Sequence, residues 1–254
     1  VKIALLLSNV FIVFFLPIIS YSLDDAKERA GLLFFSNTDV FVDGKQVDAP
    51  VSYYSKIADG TIVRTGTGRV EIQLGAGTIL RMDNKTQLQM KDSFVENLLI
   101  KFERGTIFVE TFYQIKHHKI RIQFGDCLIT FDRCGLYRLD AQSSQLRVYD
   151  GKAETECGRN KVSLKKGKTA NLNKLTVSKL DPGQKDTFHR WAAKRSYDHF
   201  VQAGDSNPWK NWKPLLGGYI GNSGYGLAFF SEELFQKQEE QLRKERNKII
   251  IPLY

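Results

Sequence analysis

The sequence predicts a mainly β fold: a sandwich or roll of short antiparallel strands, then a docking helix, then an irregular C-terminal segment with a charged helix. Three observations predict it. In residues 59–82, DGTIVRTGTGRVEIQLGAGTILRM, apolar Val70, Ile72 and Leu74 alternate with Arg69, Glu71 and Gln73. A period of two puts one side of that strand in a core and the other in water. Glycines at 66, 68, 75 and 77 divide the stretch into strand, turn and strand. Strands of similar length then recur, with turn signals roughly every eight to twelve residues. No helical period interrupts them before the loop at Leu180, which argues against a doubly wound α/β fold.

Taken in order, the chain opens on an apolar run at residues 3–19, behind Lys2 and ahead of Ser20-Tyr21-Ser22. Charged start, apolar middle and small-residue exit are the layout of a signal peptide, expected over residues 1–22 with cleavage before Leu23. An uncleaved membrane anchor is the alternative, but the run is slightly short for a span and holds Ser8 and Asn9. Residues 23–176 are expected to form the β domain. Outside the central stretch its strands are expected at 33–35, 40–42, 51–54, 88–90, 98–102, 107–109, 120–124, 128–131, 136–139, 146–149, 153–157, 162–164 and 170–172. A weak repeat, Gly-Thr-Ile-apolar, begins at Gly60, Gly77 and Gly105, and a related turn lies at Gly151 and Gly167. Such a unit suggests stacked turn-strand modules. Residues 177–202 read as linker and helix, with Phe188, Trp191, Arg195 and His199 on one stripe and the two aromatics docking it. Residues 203–230 are rich in Gly, Trp and Tyr and should be irregular. Residues 231–254 should form a charged helix, capped by Ser231 and laced by pairs such as Glu233–Lys237, with Ile249 to Ile251 as an edge strand.

A chain of 254 residues with 42% hydrophobic content can bury one sizeable core. Its net charge of +9 favours anionic partners. Two basic clusters stand out: Lys116 to Arg121, and Lys161, Lys165, Lys166 and Lys168. Aromatics do not interleave with them, so a base-stacking platform, and with it nucleic acid, is not expected. The histidines His117, His118, His189 and His199 lack metal-site spacing, and no C-x-x-C is present, so neither a metal nor a cofactor is expected. There is no G-x-S-x-G and no P-loop, and Asp140, Asp150, Glu154 and Glu156 read as a solvated strand face rather than a glycosidase pair, so no catalytic residue is assigned. Three cysteines, Cys127, Cys134 and Cys157, allow one disulfide in an exported protein. If Asp132-Arg133 is a two-residue turn, Cys127 lies opposite Arg138, out of reach of Cys134. That favours Cys157 as a partner of one of the other two, with Cys134–Cys157 as the candidate pair.

Gly60, Val63, Arg64, Thr65, Gly66, Glu71, Leu74, Gly75, Gly77, Thr78, Leu80 and Arg81 follow the motif Gly-x-x-apolar-Arg-Thr-Gly, Glu, Leu-Gly-x-Gly-Thr-x-apolar-Arg. Phe102 to Gly105, Gly135-Leu136-Tyr137-Arg138-Leu139-Asp140 and Val148 to Gly151 supply its later parts. In these residues the chain resembles the FecR-like domain, over roughly 32–172, and Asp186, Phe188, Trp191 and Arg195 resemble the helix that follows it in secreted members. The resemblance implies an extracytoplasmic, non-enzymatic β domain of the bacterial cell envelope. Founding members relay a signal from an outer-membrane receptor to a cytoplasmic sigma factor.

Three functional readings follow. The first is an exported interaction module, periplasmic or secreted, that binds an envelope or secreted protein or an anionic envelope polymer and touches the membrane only through an uncleaved N-terminus. The second is a FecR-type signal-relay regulator, and the third is an envelope glycan-active enzyme. Glu71 and Arg81 are expected to pair across a hairpin on the water-facing side of the sheet, serving the fold.

Overall fold

The computed structural model describes residues 30–36, 39–47, 55–74, 78–111, 119–131, 134–181, 183 and 185–202. The signal segment, Gly75, Gly77, the His117-His118 pair, the segment 203–230 and the charged C-terminal helix all lie outside the described residues.

The described chain is mainly β. Its strands are β1 (Leu32–Ser36), β2 (Val40–Val42), β3 (Lys45–Gln46), β4 (Ser55–Lys56), β5 (Ile62–Thr65), β6 (Val70–Gln73), β7 (Thr78–Met82), β8 (Gln87–Asp92) and β9 (Leu99–Arg104). They continue as β10 (Thr106–Thr111), β11 (Ile120–Phe124), β12 (Cys127–Phe131), β13 (Gly135–Asp140), β14 (Gln145–Asp150), β15 (Lys152–Cys157), β16 (Asn160–Lys165), β17 (Lys168–Asn171) and β18 (Thr176–Lys179). One helix follows, α1 (Thr187–Gln202).

Two nine-stranded sheets form, in the orders β18-β17-β14-β13-β10-β7-β6-β1-β4 (the first sheet) and β16-β15-β12-β11-β9-β8-β5-β2-β3 (the second). From β6 onward the chain lays mostly one hairpin in one sheet and the next in the other. Both sheets therefore grow in step, which is how a repeated turn-strand unit becomes a roll. All pairings are antiparallel except β9 with β11. Val70, Ile72, Leu80, Ile107 and Val109 of the first sheet share one core with Leu88, Ile100, Phe102, Ile122 and Ile129 of the second.

Corners where the chain crosses between sheets explain several motif residues. At the β9–β10 corner Gly105 has φ +90, and a Cβ there would lie 2.2 Å from Thr86 Oγ1. Thr86 in turn receives the Thr106 N–H at 3.1 Å and donates its own N–H to Thr65 Oγ1 at 2.9 Å. At the β14–β15 corner Gly151 has φ +86, and a Cβ would lie 2.2 Å from the Tyr137 hydroxyl. That hydroxyl donates to the Lys152 carbonyl at 3.1 Å, and the ring stacks on Phe131 at 4.3 Å. Gly66 donates to the Asp39 carbonyl at 2.7 Å, and Arg64 stands exposed with its guanidinium 4.6 Å from the Phe41 ring.

Three expectations are corrected. The polar side of β6 does not meet water: Glu71 and Arg81 are fully buried, because α1 covers that face. The disulfide is Cys127–Cys157, not Cys134–Cys157. β12 and β13 lie in different sheets, so they form no hairpin. Cys127 instead faces Cys157 directly in the β12–β15 ladder, with Cα atoms 4.1 Å apart, and Cys134 stays outside the bridge. Finally, Thr176–Lys179 is an edge strand rather than linker. All four of its residues are exposed, so no alternation marked it.

Candidate functional site

The chemistry-bearing residues converge on the outer face of the first sheet. On strands β6, β7, β10 and β13, alternate residues point away from the common core. There they place Glu71, Arg81, Phe108, Glu110, Leu136 and Arg138 on a second face. Register sets Glu71 opposite Arg81, and Phe108 opposite both Arg81 and Arg138.

Helix α1 lies on that face. Asp186 caps it, accepting the His189 N–H at 2.8 Å, so one otherwise unpaired donor of the first turn is satisfied. Phe188 and Ala192 are fully buried against Phe108 and Leu136, and Trp191 stacks on Phe188 with centroids 5.9 Å apart. One turn on, polar contacts take over. Arg195 grips Glu71 Oε2 with Nε at 2.8 Å and Nη2 at 2.6 Å. Ser196 donates to Glu110 Oε1 at 2.8 Å. Beneath them Arg81 donates to Glu71 Oε1 at 2.7 Å and to Glu110 Oε2 at 2.5 Å. The two carboxylates and two guanidiniums balance in charge.

Burial alone would pull Arg81 below its usual pKa, but Glu110 and Glu71 outweigh it and hold the guanidinium above that value. At the helix start, Arg138 bonds Asp186. Burial pulls Arg138 down, and the bond to Asp186 more than reverses that. Burial would raise Asp186, but Arg138 and the His189 N–H keep its carboxyl below the ordinary range. His189, packed edge-on against Phe108 and Tyr149, is pushed down to about 3 by burial and by Arg138. Arg69 adds a flank, bonded to Asp83 at 2.8 Å and lying 5.4 Å from the Trp191 ring. These side chains hold the helix against the sheet.

A concave surface lies elsewhere, between the sheets at one end of the sandwich. A cleft of about 720 Å³ is lined by Phe102, Phe124, Leu172 and Leu175, by the Cys127–Cys157 bridge, and at its rim by Lys101, Glu103, Asp126 and Asn173. Phe102 and Phe124 lie 5.6 Å apart, centroid to centroid. The β11–β12, β15–β16 and β17–β18 turns build its mouth, the place where a sandwich presents variable loops on a rigid frame. Of the motif residues, only Phe102 and Glu103 line it. Its signal in the sequence was only a set of ordinary turns, so it was missed. Among the described residues no group of histidine, cysteine, aspartate and glutamate is arranged to hold a metal. Asp140 and Asp150 belong to the first sheet, whereas Glu154 and Glu156 belong to the second, where they pair with Lys152 and Lys161.

No family model matches the chain, and no curated protein matches it. Two solved structures of proteins from Parabacteroides distasonis, proposed to be anti-sigma factors, are similar to it in part. One is 14% identical with a TM-score of 0.41, over 46% of this chain and 58% of its own. The other is 12% identical with a TM-score of 0.41, over 47% of this chain and 60% of its own. The chain therefore spans less than two thirds of the length of either.

Proposed function

We propose that the chain is an extracytoplasmic, non-enzymatic interaction module of the FecR-like type, which binds a partner in the cleft at the end of its sandwich. One observation carries this reading: the concave surface is apolar at its base, polar at its rim, and walled by a disulfide. Apolar base and polar rim are the make-up of a binding cleft. A disulfide in the wall fits an oxidising compartment, in line with the signal-peptide layout of residues 1–22. The charged motif residues point the same way, since Glu71, Arg81 and Arg138 are engaged in docking α1 rather than facing an open site. The partner class is an envelope or secreted protein presenting an apolar side chain to Phe124 and Leu175, the half-buried apolar residues of the cleft.

The test uses a photo-crosslinking residue at Leu175, in the cleft, and another at Thr130, on the outer face of the second sheet. The reading expects one discrete adduct from Leu175 in intact cells and none from Thr130. Equal labelling at both, or hydrolysis of an envelope glycan by the purified chain, overturns it.

A second reading, signal relay, draws on the polar docking of α1. A helix held by Arg195–Glu71, Ser196–Glu110 and Asp186–Arg138 is a separable element at the exit of the domain. Recovery of a sigma factor bound to the full chain would favour it.

A further inference from the structure

At the end of the sandwich opposite the cleft, lysines meet in a way the fold does not need. Lys152 of β15 is in direct register with Lys165 of β16, and Lys168 of β17 with Lys179 of β18. Lys166 lies in the turn between β16 and β17. Five ammonium groups thus ring one corner, whose backbone is tied by the Gly167 N–H to the Val148 carbonyl and the Leu180 N–H to the Gly167 carbonyl. Like charges directly opposite each other destabilise a sheet. Carboxylates answer two of them: Glu154 lies 2.6 Å from Lys152, and Asp150 3.2 Å from Lys166. Among the described residues, no carboxylate lies within ion-pair distance of Lys165, Lys168 or Lys179, all three exposed. Elsewhere the molecule neutralises such a clash: Arg138 faces Arg147 across β13 and β14, and Asp186 sits on Arg138.

We infer that this lysine corner is a docking surface for a carboxylated polysaccharide. The inference rests on the extracytoplasmic reading for its partner's location, but on a different surface from the cleft. A linear polyanion supplies negative charge to Lys165, Lys168 and Lys179, and its repeat lets successive carboxylates reach successive strands. The chemistry of the corner narrows the class. All five cations are lysines, point charges on flexible stems, which suit a chain of separated carboxylates better than the two-point grip of an arginine fork would. No aromatic residue stands among them to stack a base.

The test measures binding of fluorescein-labelled polygalacturonate to the full chain by anisotropy at 50 mM salt. Lys165→Gln/Lys168→Gln/Lys179→Gln should weaken binding at least roughly tenfold, and raising salt fourfold should weaken the unmodified chain about twentyfold or more, as expected for about three released counterions. A control with equal loss of charge, Lys45→Gln/Lys91→Gln/Lys174→Gln, should stay within about twofold. The corner variant should also melt no lower than the parent, because two repulsions are relieved, and polygalacturonate should raise the melting temperature of the parent alone. Absence of binding at 50 mM salt, equal loss in the control, or tighter binding to single-stranded DNA or phosphatidylglycerol vesicles than to polygalacturonate overturns the proposal. Should the triple variant fail to fold, Lys179→Gln alone, on an exposed edge strand, gives the same comparison.

Discussion

Replacing Glu71 by alanine should cost about 3–5 kcal/mol, far more than a surface pair is worth. Glu71 has no exposed side-chain surface, and neither has Arg81. Removing the carboxylate leaves Arg81, whose proton is held more tightly than usual, with Glu110 as its remaining carboxylate partner inside the protein. It cannot escape by losing its charge. Arg195 fares differently, since 18% of its side chain is exposed and it can turn to water. Arg195→Ala should therefore cost less, about 1.5–3 kcal/mol for its charged hydrogen bonds. Had the pair been an exposed cross-strand contact, the loss would be about 0.2–1 kcal/mol. The assay is urea unfolding followed by circular dichroism on Glu71→Ala, Arg81→Ala and the double variant, with hydrogen exchange of α1 as a second readout. The double variant should cost less than the sum by about 1 kcal/mol or more, because each single change already strands the other charge. A combined Glu71→Leu/Arg81→Met/Glu110→Leu replacement should lose less than Glu71→Ala alone, as no fully buried charge is then left unpaired and Arg195 can turn to water. A cost under about 1 kcal/mol for Glu71→Ala, or an additive cycle, would refute the buried network.

Stability should also fall as pH falls below 6.5, because His189 is neutral in the fold, at about 3, and takes a proton only when unfolded. The groups facing it are Arg138 and Arg147 from the sheet and Asp186 and Lys185 from the approach to the helix. Asp186 starts to matter only near and below its ordinary value of 3.8, so denaturant melts between pH 6 and pH 4 should show a loss of about 1.4 kcal/mol per unit that His189→Phe abolishes; an unchanged slope in that variant counts against it. Breaking the Cys127–Cys157 bridge, whose ends are 30 positions apart, should cost about 3–4 kcal/mol, read as a drop in melting temperature with reductant that Cys134→Ser retains and Cys157→Ser removes. Gly105→Ala and Gly151→Ala should each lose roughly 2–4 kcal/mol, from positive φ plus collision with Thr86 and Tyr137, whereas Gly44→Ala, at φ +78 in open space, should lose only about 1–2 kcal/mol in the same melts.

The strands were legible because both sheets bury an inner face, and alternation survives wherever one face is dry. β11, β12 and β15 show it plainly: Ile120, Ile122, Cys127, Ile129, Ala153 and Thr155 are buried while their neighbours are partly or fully exposed. The pairing of Glu71 with Arg81 was legible too, since counting outward from Ala76 needs only a hairpin. What alternation could not say is that a helix more than a hundred residues later lands on the polar side. The signal was present in other strands. Ile79, Phe108 and Leu136 occupy the same side as Glu71, and apolar residues on a supposed water face mark a sheet covered twice. The disulfide was misread for a related reason. Five consecutive pattern-matched residues followed by Asp132-Arg133 look alike whether the chain turns back within a sheet or crosses to the other one. Long-range partners such as Arg195 and Glu71, 124 positions apart, have no local signature at all.

The buried ion pairs raise the question of why an apolar face would not serve as well. Their desolvation makes them poor sources of net stability. Their geometry, however, restricts the helix. Phe188 and Ala192 alone could settle on Phe108 and Leu136 in more than one position, because apolar contact is non-directional. Arg195 and Ser196 allow one. A slide of a single helical turn, about 5.4 Å, would carry Arg195 off Glu71 and Ser196 off Glu110, leaving the face with two buried carboxylates and only Arg81 between them. Asp186 fixes the other end through Arg138. The hypothesis that the charges set register, more than they add stability, makes the apolar triple replacement informative in a second way. If it holds, that variant stays folded, yet hydrogen exchange of α1 speeds up relative to the sheet, because a helix with several near-equal seats is held in none of them. Unchanged protection of α1 in that variant would show that Phe188 and Ala192 suffice to place the helix, and that the ion pairs are needed only to neutralise one another.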